Sequence, residues 1–440
     1  MTVRKLRLEA GAFERVANFR NLRAAALRAA RGKRKSPSAA AFLADLETEC
    51  LRLERELQSG SWRPGPYVAF EIREPKPRMV SAAAFRDRVV HHALCEVMAP
   101  VFERGFIFDS FANREGKGTH AAIDRYERFS RASAHVLRCD IFRYFPAIDH
   151  RILKRDLRRR LSDERLLAIV DAIIDGSNPQ EPVEVFFPGD DLFAPIERRR
   201  GLPIGNLTSQ TFANIYLDPL DHFVKEVLRA KRYVRYVDDF ALFHDDVEVL
   251  RNMQERIAAF LVGRRLLLHP RKTFIVPTAA SAQFLGIVLR GDGGRRLPED
   301  NVARFAGRFR AMRARVAAGV ARASDFEPNL ASWSAHAAHG HAHRLRETLF
   351  RGWPPSEPRK PEGPNSPPGR CAAVRGTMIP GTSAPRSATA TAPAIATTTS
   401  ASGSPVRSRQ ARTAAFKDVA GAPGSVQGLH DRKAPARRWP

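Results

Sequence analysis

The sequence is poor in cysteine and contains no Cys-x-x-Cys pair: Cys50, Cys95, Cys139 and Cys371 stand far apart. That spacing argues against a zinc knuckle and against a disulfide framework. No run of about 18 apolar residues occurs, so no membrane span is expected. The opening stretch MTVRKLRLEAGAFERV lacks the apolar core of a secretory signal. No self-similarity of solenoid period is visible. Together these absences predict a soluble, cytoplasmic protein of a reducing compartment. Acidic residues are also outnumbered, 47 Asp and Glu against 73 Lys and Arg, which leaves a formal net charge of +26. Such an excess favours a polyanionic partner, because each neutralised phosphate releases condensed counterions. Charge alone does not separate a nucleic-acid enzyme from a packaging protein.

What is present is enough apolar material, 43% of the residues, for one large multi-lobed unit or two domains. Apolar positions recur at helical spacing in FRNLRAAALRAA and AAFLADLETECLRLERELQSG, which predicts helices through residue 60. YVAFEIREPKPRMV (67–80) reads as a hairpin carrying basic residues. Residues 86–104 and 119–132 read as helices, and HVLRCDIFRYF (135–145) as a strand running into a helix-forming stretch. KRYVRYVDDFALFHDD (231–246) reads as two apolar strands around a tight turn, and 298–352 as helices opened by Pro298, Glu299 and Asp300. After Trp353 the composition shifts to Pro-rich and Ser/Thr/Ala-rich tracts with almost no large aliphatics. Such a segment buries too little apolar surface to offset its ordering entropy, so 354–440 is expected to be a disordered basic tail.

Three carboxylates stand out. Asp140 ends an apolar strand, and Asp238 and Asp239 occupy the turn of a strand–turn–strand with apolar flanks. Most Asp-Asp pairs are solvated turns. A pair at the tip of a buried hairpin is better explained by metal binding, since Mg²⁺ takes carboxylates together with substrate phosphates. Two such ions about 3.5–4 Å apart serve phosphoryl transfer onto a hydroxyl. Asp245 and Asp246 lie past the apolar run and read as an ordinary turn.

Tyr236-Val237-Asp238-Asp239 resembles the Tyr-x-Asp-Asp signature of reverse transcriptases, and Cys139-Asp140-Ile141 resembles the other metal-binding motif of that family. The resemblance spans roughly 15–350 and implies an α+β right-hand polymerase with a disordered C-terminal tail. Its parts would be an N-terminal helical extension (1–66), fingers and palm (67–290) and a helical thumb (291–353). It implies Asp140, Asp238 and Asp239 as catalytic residues, holding two Mg²⁺ ions together with Ile141. Phe145 matches the aromatic gate against a ribose 2′-hydroxyl. Lys76 and Arg78 match cations that hold the incoming triphosphate, where charge-assisted bonds to phosphate are strong. Lys272 matches a lysine near the departing pyrophosphate, and Phe284-Leu285-Gly286 resembles the primer grip. DRVVHHAL (87–94) and DSFANREGKGTHAA (109–122) match family blocks, the latter placing Arg114 and Lys117, like Tyr236, against nucleic acid. Ala82-Ala83-Ala84 stands where relatives usually carry a proline.

GLPIGNLTSQ (201–210) resembles the diversity-generating retroelement enzymes, where most reverse transcriptases have a Gln-Gly-x-x-x-Ser-Pro pattern. Ile204, Gly205 and Gln210 are therefore expected at the nucleotide. Replacing the usual Gln with apolar Ile204 removes a polar check on the nascent pair, and Ile204 and Gln210 together are expected to loosen fidelity. The resemblance implies misincorporation opposite template adenines, with template-repeat RNA, primer or cDNA, dNTPs and a small basic accessory variability determinant as partners. SWSAHAAHGHAH, with His336, His339, His341 and His343, resembles a thumb segment rather than a metal site. Residues 372–404, back-translated in a shifted frame, permit a lectin-like variable peptide, so the end of the gene is expected to overlap the template repeat. A retron-type or other bacterial defence reverse transcriptase and a non-catalytic RNA-binding scaffold stay open as rivals. Three intact carboxylates argue against the scaffold.

Overall fold

Alternating strand formers in HVLRCD and on both sides of the Asp pair build a four-stranded antiparallel sheet. A separate hairpin precedes it, formed by β1 (Val68–Ile72) and β2 (Arg78–Ala82). The sheet contains β3 (His135–Asp140), β4 (Tyr233–Tyr236), β5 (Asp239–His244) and β6 (Phe274–Pro277), in the order β4-β5-β3-β6. This computed structural model describes residues 8, 11–72, 78–177 and 185–353. Lys76, the side chain of Arg78 and the tail after residue 353 lie outside the described residues.

Successive side chains of a strand point to opposite faces. Leu137, Cys139, Tyr233, Phe240 and Leu242 therefore share one face and join a large core with helices Phe19–Ala29, Phe85–Glu103 and Leu207–His222. Val136, Val234, Ala241 and Phe243 share the other, covered by helix Thr119–Arg131 and a small sheet. That sheet is β7 (Ala282–Phe284), β8 (Ile287–Leu289) and β9 (Arg295–Arg296). Tyr126 stacks on Phe284 with ring centroids 4.5 Å apart and meets Phe243 edge-on, closing this second core. The same alternation puts Arg138, Asp140 and Asp239 on the second face, where they are half-buried.

The expected N-terminal helices are present as Ala12–Val16, Phe19–Ala29, Pro37–Ala44 and Leu46–Gln58. In Phe19–Ala29 the helical repeat buries Leu22, Ala25, Ala26 and Ala29, and small side chains let it lie close on helix Phe85–Glu103. The strand expected to begin at 135 ends at Asp140, and its helix-forming continuation is the short helix Tyr144–Ala147. Helices His150–Arg158, Glu164–Asp175, Leu207–His222 and Val247–Val262 were not singled out by periodicity. Leu207–His222 is buried on several sides, which removes the amphipathic signal. The C-terminal helices Glu299–Ala317, Glu327–Ala338 and His343–Phe350 enclose a small aromatic cluster in which Phe305 stacks on Trp333 at 3.8 Å.

β1 is exposed along its whole length, and a lone two-stranded hairpin is marginal in water. Its tie to the rest is polar. The Ser81 N–H donates to the Ile204 carbonyl at 3.1 Å, and the Asn206 amide bonds Ser81 and Ala83 backbone groups.

Candidate active site

Asp140, the last residue of β3, is the register partner of Asp239, the first residue of β5. Tyr236 pairs with Asp239 across β4 and β5, so Val237 and Asp238 make the connection between those strands. Val237 has φ of 57°. A β-branched residue in that region costs about 1–2 kcal/mol and persists only where its surroundings over-determine it. Arg235 does so here, with its Nη1 donating to the Val237 carbonyl at 3.0 Å. Its guanidinium lies on the core-facing side of β4, fully buried, and donates to both Asp221 oxygens at 2.7 and 2.6 Å. Tyr233 hydroxyl donates to Asp221 at 2.7 Å, and Arg235 Nη2 reaches Ser110 Oγ at 3.1 Å. Sequence reasoning missed Arg235 and Asp221. The available signal was an arginine at a core-facing position of an otherwise apolar strand.

The carboxylates crowd one another. Burial, followed by the neighbouring Asp238 and Asp140, pushes Asp239 up to about 7 against the opposing pull of Arg138 and Lys272. Arg138 stands 3.9 Å from Asp239. Lys272 Nζ lies 3.1 and 2.9 Å from the two oxygens of Asp140. The segment carrying it is zipped along β3's end: His269 N–H donates to the Asp140 carbonyl at 2.7 Å, and Phe142 N–H to Leu267 at 2.8 Å. Among the described residues, no three His, Cys, Asp or Glu side chains converge as a ready-made metal site. The donor chemistry nonetheless fits a hard cation: adjacent carboxylate oxygens are the ligands Mg²⁺ takes, and a nearby positive charge favours the ionised form of Asp239. The Lys272 ammonium now supplies positive charge at Asp140.

The other expected residues divide into three groups. Ile141, buried, bridges to Leu268 directly after Asp140, and half-buried Phe145 packs at the edge of the large core with its carbonyl accepting from Leu202 N–H at 3.0 Å. Tyr236 hydroxyl accepts from Thr119 at 3.1 Å. Ile204 and Gly205 lie against β2. Gly205 has φ of +112°, and a Cβ there would meet Val80 Cγ1 at 3.0 Å, so the close approach requires glycine. Gln210 lines a cavity together with Gly205 itself, Lys33, Arg88 and His91, and none of the three carboxylates is among its walls.

Arg114 is an internal brace, and Lys117 braces the same loop from a partly exposed position. Arg114 bonds Glu103 and the carbonyls of Ile107 and Ser110, and Lys117 donates to the Phe108 carbonyl at 3.0 Å while lying over its ring. Phe284 is a core ring beneath Tyr126, and the turn it opens has Leu285 at φ 48° and Gly286 at φ 81°. A primer contact would therefore fall on this turn rather than on the Phe284 ring. His339 stacks on His120 at 3.2 Å, tying the C-terminal helices to helix Thr119–Arg131. Asp246 caps helix Val247–Val262 through the Glu248 N–H, and Asp245 accepts from Ala134, as an ordinary turn would.

Comparison with known proteins gives this geometry a context. Residues 72–289 match the family model described as reverse transcriptase (RNA-dependent DNA polymerase). Protein YkfC of Escherichia coli (strain K12) is 30% identical over 193 residues, 42% of this chain and 47% of that protein. A putative COX1/OXI3 intron 1 protein of Saccharomyces cerevisiae is 22% identical over 179 residues, covering 40% of this chain and 20% of that protein. The group II intron-encoded protein LtrA of Lactococcus lactis subsp. cremoris is 20% identical over 239 residues, 53% of this chain and 38% of that protein. The chain thus spans less than half the length of each of these relatives.

Proposed function

We propose that this chain, whose residues 72–289 form a reverse transcriptase domain, is an RNA-directed DNA polymerase of the diversity-generating retroelement type. One observation carries the polymerase reading: Asp140 and Asp239 face each other in register, with Asp238 beside them in a strained turn, all three half-buried at one end of the sheet. On this reading the four-stranded sheet is the palm, the hairpin β1–β2 and the helices before it belong to the fingers and N-terminal extension, and residues 291–353 form the thumb.

In the proposed reaction, a primer 3′-hydroxyl loses its proton to solvent and its oxygen forms a bond to the α-phosphorus of a dNTP. The bond to the bridging oxygen breaks, and pyrophosphate leaves with that electron pair. Asp140 and Asp238 would hold Mg²⁺, with Asp239 and the Ile141 carbonyl beside them. When bound, two such ions stabilise charge on the attacking and leaving oxygens. Lys272, already at Asp140, is within the same cluster and neutralises charge as pyrophosphate forms. Phe145 closes the sugar pocket to a 2′-hydroxyl, and Lys76 and Arg78 hold the triphosphate.

The finer reading rests on Ile204. An apolar side chain where a Gln would stand beside the nascent pair supports adenine-directed error, a template-repeat RNA and a small basic accessory protein as partner. The protein would act in the cytoplasm, producing cDNA that replaces a variable repeat. The similarity to a yeast intron 1 protein and to a group II intron-encoded protein supports a second reading, an intron-type enzyme that copies faithfully.

Primer extension on an adenine-containing RNA template with Mg²⁺, with and without the accessory protein, tests both. DNA products that vanish in Asp238→Ala are expected, with errors concentrated opposite adenine. Faithful cDNA would favour the intron-type reading, and equal extension by wild type and Asp238→Ala would sink the polymerase itself.

A further inference from the structure

A cavity of about 170 Å³ lies where the loop before helix Leu207–His222 meets helix Phe85–Glu103 and the N-terminal helices, and none of the three carboxylates lines it. Lys33, Arg88, His91, His92, Asn206 and Gln210 are among its walls. His91 is 1% exposed, and neither of its ring nitrogens has a hydrogen-bond partner among the described residues. Arg88 Nε is likewise buried and unpartnered there. A polar group buried without a partner costs about 1–3 kcal/mol, and two residues that carry such groups line this one cavity.

Three observations define that occupant's charge. First, the 16-residue helix Leu207–His222 points its amino end into the cavity. No side chain caps its first turn, because the Asn206 amide is turned to the Ser81 and Ala83 backbone. Helix amino ends attract anions through free N–H groups and the aligned peptide dipoles. Second, Lys33 and Arg88 bring positive charge to the same space. Third, no carboxylate is among the residues that line the cavity. Burial holds His91 and His92 down toward their neutral form, and Arg28, Arg88 and Lys33 push His92 further in that direction. A neutral His91 ring still carries one N–H that an anion can accept.

We propose that this cavity is a phosphate-binding site built by Lys33, Arg88, His91 and the amino end of helix Leu207–His222, with Gln210 at its rim. Ala29 and Lys33 precede residue 72, where the family match begins, so the site joins the reverse transcriptase domain to helices outside that match. Gln210 then acts on a phosphate, and Gly205 borders the same cavity. The phosphate comes either from the backbone of a single RNA strand or from a free phosphate in solution. The strand source rests on the polymerase reading; the phosphate chemistry does not.

The test uses the full chain, Lys33→Ala (an exposed position) and His91→Leu, with thermal melts to establish that each variant folds. Short single-stranded RNA is titrated at several salt concentrations without nucleotides or metal, and inorganic phosphate is titrated separately by calorimetry. If the site takes a strand phosphate, each variant binds RNA about tenfold more weakly, whatever the sequence, as loss of one charge-assisted bond requires. The slope of log affinity against log salt falls by about 1 in Lys33→Ala. If it takes free phosphate, wild type binds the ion, both variants lose it, and RNA affinity is unchanged. Variants that match wild type in both titrations overturn the proposal. Asp238→Ala keeps both kinds of binding, so failure of the polymerase reading is seen in extension alone.

Discussion

Replacing Asp221 with Asn probes how the Asp238 turn is held. Asp221 accepts three bonds, two from Arg235 and one from the Tyr233 hydroxyl, and both members of the ion pair are fully buried. Removing its charge leaves the Arg235 guanidinium uncompensated in the core, a loss of about 3–5 kcal/mol. The melting temperature should fall by roughly 5–10 °C, given the shift per kcal/mol of a domain this size. The triple variant Asp221→Leu, Tyr233→Phe, Arg235→Met removes donors and acceptor together. A buried pair replaced by apolar groups of similar volume is close to neutral, so most of the stability should return.

Activity should not return with it. The triple variant still lacks the Arg235 bond to the Val237 carbonyl, and nothing then offsets the strain at φ 57°. Thermal melts and single-nucleotide extension, run side by side, separate the two effects. A fall of less than 1 kcal/mol in Asp221→Asn would refute the buried-charge argument. A triple variant extending primers at the wild-type rate would refute the role of Arg235 in positioning the turn.

Other perturbations address different parts of the molecule. Gly205→Ala puts a Cβ at φ +112° against Val80 and should destabilise the protein by about 1–3 kcal/mol, read as a lower urea midpoint. Lys272→Ala removes the ammonium from Asp140, so Mn²⁺ binding followed by electron paramagnetic resonance should tighten several-fold while extension slows. Weaker Mn²⁺ binding in that variant would contradict the assignment of Asp140 as a ligand. His222 is raised to about 10, first by its bond to Asp218 and then by Glu226. A folded value above the unfolded one, about 6.5, means its contribution is complete below that pH and is lost as pH rises toward 10. Because the ring is partly exposed, the effect stays below about 1 kcal/mol. The melting-temperature gap between wild type and His222→Asn should therefore shrink from pH 6 to pH 10, and a constant gap would refute it.

The strands carrying Asp140 and the Asp238–Asp239 pair were legible in the chain itself because a half-buried sheet imposes period-2 alternation, and apolar flanks around adjacent acids are rare outside ligand sites. The N-terminal and C-terminal helices were legible for the corresponding reason at period 3.6. Helix Leu207–His222 was not, because burial on several sides erases that pattern. Arg114 and Phe284 are engaged inside the fold, on Glu103 and on Tyr126, whereas Lys117 lies partly exposed over the exposed ring of Phe108. Residue type states what a side chain is able to bind, and only packing states what it is left free to bind.

The sequence by itself determined the carboxylate motif, its strand–turn–strand setting and the basic balance that suits a polyanionic partner, since each follows from local pattern or composition. Tertiary structure alone decided the rest. It paired Asp221 with Arg235 beneath the turn, set Lys272 on Asp140 across 132 residues of chain, and gathered Lys33, Arg88, His91 and Gln210 around one cavity. Contacts between residues far apart along the chain leave no periodic trace, because they are selected by the free energy of burying charge and polar groups once the core has closed.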